Sequence, residues 1–370
     1  MAFFSSFFKK GESTALGVDI GSSAIKIVQI KKKNGQAVLE TYGELALGPY
    51  AGLTIGQAVA LPPDKIAQAL VDLMKEKEVG VSTNKCGISI PSSSSLMSVI
   101  EMPEVSAKQL SIMVPLEARK YIPVPISEVM LDWSIIPKSE VQSEVQEDGT
   151  TPVVPPIAKI DVLVVAIHNE TIARYQDIVA KAGLEAGFFE IEIFSTMRAV
   201  LDDTLRPVMI MDIGAASTKL YVIERGIIRS SHTVNRGSQD ITSTISKSLG
   251  ITPERAEVMK RQVGLIGEDK NMTDAIILTL DYIFAEVNNT ILAFENKYNR
   301  AISKVILVGG GSALKGLSDL AKNSFKAEVV SADPFNKVSA PAFLEKILRE
   351  TGPEFAVAIG LALRRLGEEE

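Results

Sequence analysis

The chain has little cysteine and no long apolar run. Cys86 is the one cysteine in 370 residues, so an internal disulfide and a thiolate metal cluster are excluded and a reducing cytoplasm is expected. No stretch approaches the roughly 18 apolar residues typical of a membrane span. The apolar part of the opening MAFFSSFFKK is too short for a signal peptide. That segment is interpreted as a mobile tail or as a weak interfacial anchor.

An excess of positive charge and the best-known phosphate motifs are also missing. The net charge is −6 without a basic block, which argues against nucleic acid as the main partner. No G-K-[ST] sequence occurs, so a P-loop is excluded, and no G-x-G-x-x-G fingerprint is present. The length exceeds what one core usually holds, and we therefore expect two domains or a duplicated one.

What the chain does contain is a repeated segment. Residues 16–28 read LGVDIGSSAIKIV and residues 210–222 read IMDIGAASTKLYV. Each has an apolar run into an aspartate, then Ile, Gly, two small residues and a lysine. This pattern predicts a tight hairpin whose glycine leaves room for a ligand. One hairpin in each half indicates two related domains closing on something between them.

The repeat favours a nucleotide site over two ordinary hairpins. Its small residues could present backbone amides to phosphate oxygens, and Asp19 and Asp212 would face each other across the cleft. Two carboxylates beside a polyphosphate need a cation, for which Mg²⁺ held largely through water is usual. The predicted binding residues of the two hairpins are Gly21, Ser22, Ser23, Lys26, Gly214, Ala215, Ala216, Ser217 and Thr218.

Two further features could contact the rest of a nucleotide. The strand 305–308 enters a glycine turn, which brings bare backbone against a flat ligand and gives as candidates Gly309, Gly310, Gly311, Ser312 and Leu314. Glu257 and Lys260 lie three apart on one helix face. They form either a solvated ion pair or contacts to a ribose and base edge.

Local patterns predict several other elements. Pro63 opens a helix that ends at Gly80, and Ser106 with Gln109 forms a capping box for a helix kinked at Pro115. The helix 272–298 is the longest, and residues 138–159 form a floppy hairpin tip. The last helix carries small residues that allow close approach of another helix, namely Ala356, Ala358, Gly360 and Ala362.

This order of elements resembles the actin, Hsp70 and sugar-kinase ATPase superfamily. The resemblance implies an α/β, actin-like (ribonuclease H-like) fold with duplicated domains around an interdomain nucleotide cleft. In its terms, residues 19–26 and 212–219 are the two phosphate loops and 308–316 is the adenosine loop. The helices 191–201 and 354–366 are the two connecting helices.

Within the superfamily the chain is similar to the PilM family, actin-like proteins of type IV pilus assembly related to the cell-division protein FtsA. The similarity rests on GVDIGSSAIKIVQI, EMPEVSAKQL, EARKYIPVP, VMLDWSII, AGLEAGFFEIEIFSTMRAV and RGSQDITSTISKSLGITPERAEVMK. It implies a first domain of residues 14–206 and 352–370, with a small inserted subdomain (about 92–166) of two strands and one kinked helix. The second domain is 207–351, with an outer helical part at about 238–300.

The family implies ATP and Mg²⁺ in the cleft, and as partner the cytoplasmic N-terminal tail of a PilN-like membrane protein beside the inserted subdomain. Self-association is a further expectation. The protein would be cytoplasmic and peripheral at the inner membrane, in pilus assembly or a related secretion system. Asp19, Asp212 and Glu192 are the candidate catalytic residues, with Glu190 as another group that could orient water. GAAST replaces the glycine-rich second loop of active relatives, and Lys219 replaces an acidic residue, so at most slow hydrolysis is expected.

Two alternatives remain. An FtsA-like filament would be anchored by its own basic amphipathic helix, whereas this chain reads LRRLGEEE at its end, which acidic lipid would repel. A small-molecule kinase would need a catalytic aspartate facing a sugar-like pocket and a larger substrate domain. The direction of Lys219 is also open, because it could point into the cleft or lie on the surface.

Overall fold

A computed structural model describes residues 13–136, 159–202 and 205–368. The segment MAFFSSFFKK and all but the last residue of the predicted tip 138–159 lie outside the described residues. The strands are β1 (Thr14–Ile20), β2 (Ala24–Lys33), β3 (Gln36–Ala46), β4 (Lys85–Ile90), β5 (Ser95–Pro103), β6 (Val129–Ile136), β7 (Lys159–His168), β8 (Glu185–Ile191), β9 (Val208–Ile213), β10 (Thr218–Glu224), β11 (Ile227–Val234), β12 (Lys304–Val308) and β13 (Glu328–Ser331). The helices are α1 (Pro63–Lys75), α2 (Ala107–Ala118), α3 (Asn169–Lys181), α4 (Glu192–Val200), α5 (Ser238–Leu249), α6 (Pro253–Gln262), α7 (Lys270–Tyr298), α8 (Leu317–Ser324), α9 (Glu345–Thr351) and α10 (Ala356–Gly367).

Two five-stranded sheets have the same order. The first is β3-β2-β1-β4-β8 and the second is β11-β10-β9-β12-β13. In both, two antiparallel hairpin pairs are followed by two parallel pairs. Asp19 lies opposite Lys26 in the first sheet, and Asp212 lies opposite Lys219 in the second. The repeated sequence therefore folds into equivalent hairpins, as predicted.

Apolar side chains on both faces bury each sheet between helices. On one face of the first sheet, Ile27 and Ile88 pack with Leu70 of α1 and Ile178 of α3. On its other face, Val28 packs against Ile359 of α10. One face of the second sheet packs mainly on α5 and α7. Strands covered by helices on both faces are nearly continuous apolar runs, as observed in VMIMDI of β9.

The inserted subdomain is a sheet of order β5-β7-β6 with α2 packed on it. The prediction of two strands was wrong, because the sheet has three. The additional strand, β5, continues to Pro103 and pairs with β7 from Lys159 to Ile167. The capping box of Ser106 and Gln109 is confirmed. Pro115 lies inside α2, which runs on to Ala118.

Other element predictions need smaller corrections. α1 ends at Lys75, and Gly80 instead takes a left-handed conformation (φ 57°) in the following turn. The edge strands β8 and β13 were missed. β8 reads EAGFFEI and β13 is four residues long, so neither has the apolar run of a central strand.

The small residues of α10 do allow close approach. A Cβ on Gly360 would lie 1.9 Å from the carbonyl oxygen of Ser195 in α4, and one on Gly17 would lie 1.8 Å from that of Ala358. α4 and α10 therefore cross with their backbones nearly in contact. The division into domains at 207 and 352 stays a prediction. Packing of Phe335 and Leu348 with β2 and β3 favours an earlier return to the first domain.

Among the described helices, α7 alone is long and apolar enough to cross a membrane by length and composition. Ten of its side chains are buried, including Ile276, Leu280 and Phe284, and they form part of the core beneath the second sheet. A buried core helix passes the same test of length and hydropathy.

Candidate nucleotide-binding cleft

A cavity of about 750 Å³ lies between the two sheets. This volume is within the roughly 300–1,000 Å³ of typical small-molecule sites. Most of the predicted site residues line it: Asp19, Gly21, Ser22, Ser23, Lys26, Glu192, Asp212, Gly214, Ala215, Ala216, Ser217, Glu257, Lys260, Gly309, Gly310, Gly311 and Leu314. Thr218 and Ser312 do not line it. Their hydroxyls donate to the carbonyls of Arg236 and Gly309, which makes both structural.

The two hairpin turns have the same hydrogen bond. The Gly21 amide donates to the Ala24 carbonyl, and the Gly214 amide donates to the Ser217 carbonyl, each at 3.0 Å. These two amides are thus engaged in closing the turns. Both glycines line the cavity, and their role in binding stays a prediction. The candidate donors to phosphate are the amides of the next two residues in each turn, namely Ser22, Ser23, Ala215 and Ala216.

The aspartates are partly buried in the cavity wall. Burial raises the pKa of Asp19 above its ordinary value against the opposing effect of Lys26, and Asp19 accepts a hydrogen bond from the Ser89 hydroxyl at 2.8 Å. Burial raises the pKa of Asp212 to about 6. Glu192 and Asp19 raise it too, because they are negative charges in the same cavity. The surroundings of the two aspartates therefore disfavour their negative charge, which a cation would stabilise.

Lys219 points into the cleft. Its Nζ donates to Glu192 Oε1 at 2.6 Å and lies 3.9 Å from Asp212 Oδ2. Burial alone would lower the pKa of Lys219, but these two carboxylates raise it. Burial likewise opposes ionisation of Glu192, whereas Lys219 and the backbone amide of Ser92, which donates at 2.7 Å, hold its pKa below the ordinary range. Lys219 thus places a positive charge beside the turn of the second hairpin.

Glu190 lies behind the cleft and holds the two connecting helices together. It accepts hydrogen bonds from Arg198 of α4 (2.9 Å) and from Arg364 of α10 (2.7 Å). The Ser195 hydroxyl donates to its other oxygen at 2.5 Å. Burial would raise the pKa of Glu190, but these partners lower it. Both of its oxygens accept hydrogen bonds from these side chains, so the geometry gives Glu190 no role in orienting water.

Glu257 and Lys260 form a buried ion pair in the cleft wall at 2.6 Å, which excludes the alternative of a solvated pair, and their contact with a ribose or base stays a prediction. Glu257 also accepts from Arg261 at 2.7 Å and from the Thr242 hydroxyl at 2.6 Å. Lys260 donates to the Ser238 carbonyl at 3.1 Å. The pair holds α6 against α5 and presents polar atoms to the cavity.

The glycine turn approaches the second phosphate loop closely. Gly309 has φ 83°, and a Cβ there would lie 2.3 Å from Asp212 Oδ1. A Cβ on Gly311 would lie 2.3 Å from Ile213 Cγ2. Glycine is therefore required at both positions for this wall of the cavity to form.

Sequence reasoning missed a charged cluster at the glycine turn. Glu354 lies near Gly310, and burial raises the pKa of Glu354 to about 7, helped by Glu44 and opposed by Lys26 and Arg261. Lys26 lies 3.5 Å from Glu44. No local pattern marks this cluster, because its members come from β2, β3, α6 and the segment before α10.

The cavity wall fits Mg²⁺ held through nucleotide and water. Within the described residues no group of three or more His, Cys, Asp or Glu could hold a metal on its own. Mg²⁺ commonly takes one or two carboxylates together with substrate phosphates and water. Asp19 and Asp212, both lining the cavity, match that requirement.

The two sheets have the same strand order, and their matched hairpins line one cavity. This arrangement defines the actin-like class of α/β proteins. MreB5 of Spiroplasma citri bound to ADP has this fold, with TM-score 0.50 and 11% identity over 96% of this chain and 97% of that chain. A sequence model described as type IV pilus assembly protein PilM matches residues 17–366. The chain belongs to the PilM family, which confirms the resemblance and the predicted fold class.

Two further similarities agree with this family. A solved structure described as the PilM-PilN type IV pilus biogenesis complex has TM-score 0.77 and 27% identity, covering 95% of this chain and 98% of that chain. The cell division protein FtsA of Streptococcus pneumoniae serotype 2 is 22% identical, with 90% of this chain and 78% of that protein covered.

Proposed function

We propose that this protein is an ATP-binding scaffold of the type IV pilus assembly platform or a related secretion apparatus. It acts at the cytoplasmic face of the inner membrane and binds the cytoplasmic N-terminal tail of a PilN-like membrane protein. The observation that carries the nucleotide part is the pair of matched turns, whose aspartates and small residues line one cavity. The solved PilM-PilN complex carries the partner part.

In this proposal the triphosphate lies between the two turns. The amides of Ser22, Ser23, Ala215 and Ala216 donate to phosphate oxygens, and Lys219 stabilises their charge. Mg²⁺, held by Asp19 and Asp212 through water, would neutralise the triphosphate. The glycine turn and the Glu257–Lys260 pair contact the adenosine. ADP in the similarly folded MreB5 structure supports this assignment of nucleotide class.

Slow hydrolysis follows from how the nearby carboxylates are engaged. A general base must have a lone pair within reach of the attacking water. Glu192 accepts from Lys219 and from the Ser92 amide through one oxygen, Oε1, and these partners hold its pKa low, which weakens the carboxylate as a base. Glu190 accepts from two arginines and a serine. We infer that bound ATP serves mainly to fix the conformation of the protein.

The proposed partner surface lies on the inserted subdomain. Leu110 and Val114 of α2 face its core, whereas Ile112 and Leu116 remain 63% and 54% exposed. They are four positions apart and therefore share one helix face. An exposed apolar pair on a small subdomain fits a peptide tail with apolar anchors.

Replacing Ile112 and Leu116 with glutamate should reduce affinity for the partner's tail at least about tenfold, because the new charges would have to lose water against the apolar anchors of the tail and the apolar burial is lost. The measurement is a titration of fluorescent peptides from N-terminal tails of PilN-like proteins. The matched control is Leu278→Glu on α7, since Leu278 is 68% exposed and lies in the other domain.

Equal binding by the variant and the wild type would reject this surface. If no tail peptide binds the wild type and the protein pellets as filaments with ATP, the FtsA-like alternative is favoured over the scaffold.

A further inference from the structure

The segment from Gly48 to Leu61, here called the strap, leaves the first sheet after β3 and returns at α1. Both of its ends are fixed on the first phosphate loop. The amide of Leu47, just before the strap, donates to the Ser23 carbonyl at 2.8 Å, and the amide of Val59 donates to the Ser22 carbonyl at 2.9 Å. Gly56 and Val59 line the cavity. The strap is thus attached to the backbone of the predicted phosphate site.

The strap also reaches the second domain. The Ala58 amide donates to the side-chain Oε1 of Gln239 in α5 at 3.0 Å. Gly56 has φ 87° and packs directly on Glu257, since a Cβ there would lie 2.6 Å from the carboxyl carbon. The hydrogen bond joins residues 181 positions apart in sequence, and Gly56 and Glu257 both line the cavity.

Gln239 is itself attached to the second phosphate loop. Its backbone amide donates to the Ala215 carbonyl at 3.1 Å, and the neighbouring Ser238 amide donates to the Gly214 carbonyl at 2.9 Å. Three hydrogen bonds, linked by the covalent chain, therefore connect the two turns. They run from the Ser22 carbonyl through Val59, Ala58 and Gln239 to the Ala215 carbonyl.

We propose that the strap and the side chain of Gln239 form a bridge that ties the two phosphate loops together and retains nucleotide in the closed cleft. The inference rests on the proposed nucleotide binding and adds a control of release to it. Gln239 is a positioning residue, because it acts through backbone groups of the loops.

The peptide groups explain why nucleotide and bridge support each other. The Ser22 carbonyl belongs to the same peptide group as the Ser23 amide, and the Ala215 carbonyl to that of the Ala216 amide. Phosphate bound to those amides polarises the peptide groups and strengthens the hydrogen bonds that their carbonyls accept. The bridge is therefore tighter with nucleotide present, and its loss should mainly accelerate dissociation.

Gln239→Ala should increase the dissociation rate of a fluorescent ATP analogue about tenfold, the effect of losing one partly buried hydrogen bond between the domains. Rates are measured by chasing the bound analogue with excess ATP in a stopped-flow instrument. Gln262→Ala is the matched control, because Gln262 is an exposed glutamine near the end of α6. The control should dissociate at the wild-type rate. A wild-type rate in Gln239→Ala as well would overturn the proposal.

Hydrogen–deuterium exchange of the nucleotide-free protein tests the bridge without any ligand. Exchange of peptides covering the strap should be faster in Gln239→Ala than in the wild type and in Gln262→Ala. Unchanged exchange would overturn the bridge. If the wild type binds no nucleotide, the proposed function fails, and the exchange result still decides whether the bridge exists.

Discussion

Alanine at both Asp19 and Asp212 is expected to weaken Mg²⁺-dependent ATP binding by at least about 100-fold while the protein stays folded. Each carboxylate contributes charge-assisted contacts of about 1.5–3 kcal/mol, and about 1.4 kcal/mol corresponds to a tenfold change in affinity. Burial raises the pKa of both groups in the empty protein. Their removal therefore relieves a cost of folding, and the loss is confined to binding. Isothermal titration with ATP and Mg²⁺ measures the effect.

The double variant Asp274→Ala and Asp319→Ala is the matched control. Both aspartates are exposed, so this variant makes the same change in net charge away from the cleft. In EDTA the difference between the cleft variant and the wild type should shrink, because the carboxylates act through the metal. Unchanged affinity with Mg²⁺ would contradict the assignment of the metal site.

A large loss of stability is expected from a substitution at Gly360. In an open helix, Gly→Ala stabilises by about 1 kcal/mol. Here the new Cβ would lie 1.9 Å from the Ser195 carbonyl oxygen and 2.5 Å from its carbon. Backbone atoms cannot rotate away, so α4 and α10 must separate. We expect Gly360→Ala to lower the free energy of unfolding by about 3 kcal/mol, measured by denaturant titration.

Gly367→Ala is the control in the same helix, since a Cβ there meets nothing within 4 Å. It should leave stability unchanged or raise it slightly. If Gly360→Ala were as stable as this control, the close crossing of the connecting helices would be wrong.

Local features of this fold were predictable from the sequence. A hairpin is encoded by the residues that form it, so both copies of the D-I-G repeat and the opposition of Asp19 to Lys26 follow from short segments. The capping box of α2 and the small residues of α10 act within one or two turns. The family resemblance then supplied the expected order of the cleft-lining segments, and the family match confirms the resemblance.

The rest depends on contacts between distant segments. Lys219 could have faced either way, and its direction is decided by Glu192 and Asp212, which lie on different elements. Glu190 was a candidate for orienting water until Arg198 and Arg364 were found to engage it. No sequence motif marks the strap, and its proposed role depends on the hydrogen bond to Gln239 in the other half of the chain. The edge strands β8 and β13 are defined by their pairing with neighbouring strands more than by their composition.

The most direct measurement is the identity of the nucleotide that the purified protein retains. The protein is incubated with ATP and Mg²⁺, passed through a desalting column and denatured, and the released nucleotide is separated by ion-exchange chromatography. The account predicts ATP, stoichiometric with the chain and still unhydrolysed after prolonged incubation. An empty protein would contradict the nucleotide site, and rapid conversion to ADP would contradict a scaffold in which Lys219 and the Ser92 amide hold Glu192 away from catalysis.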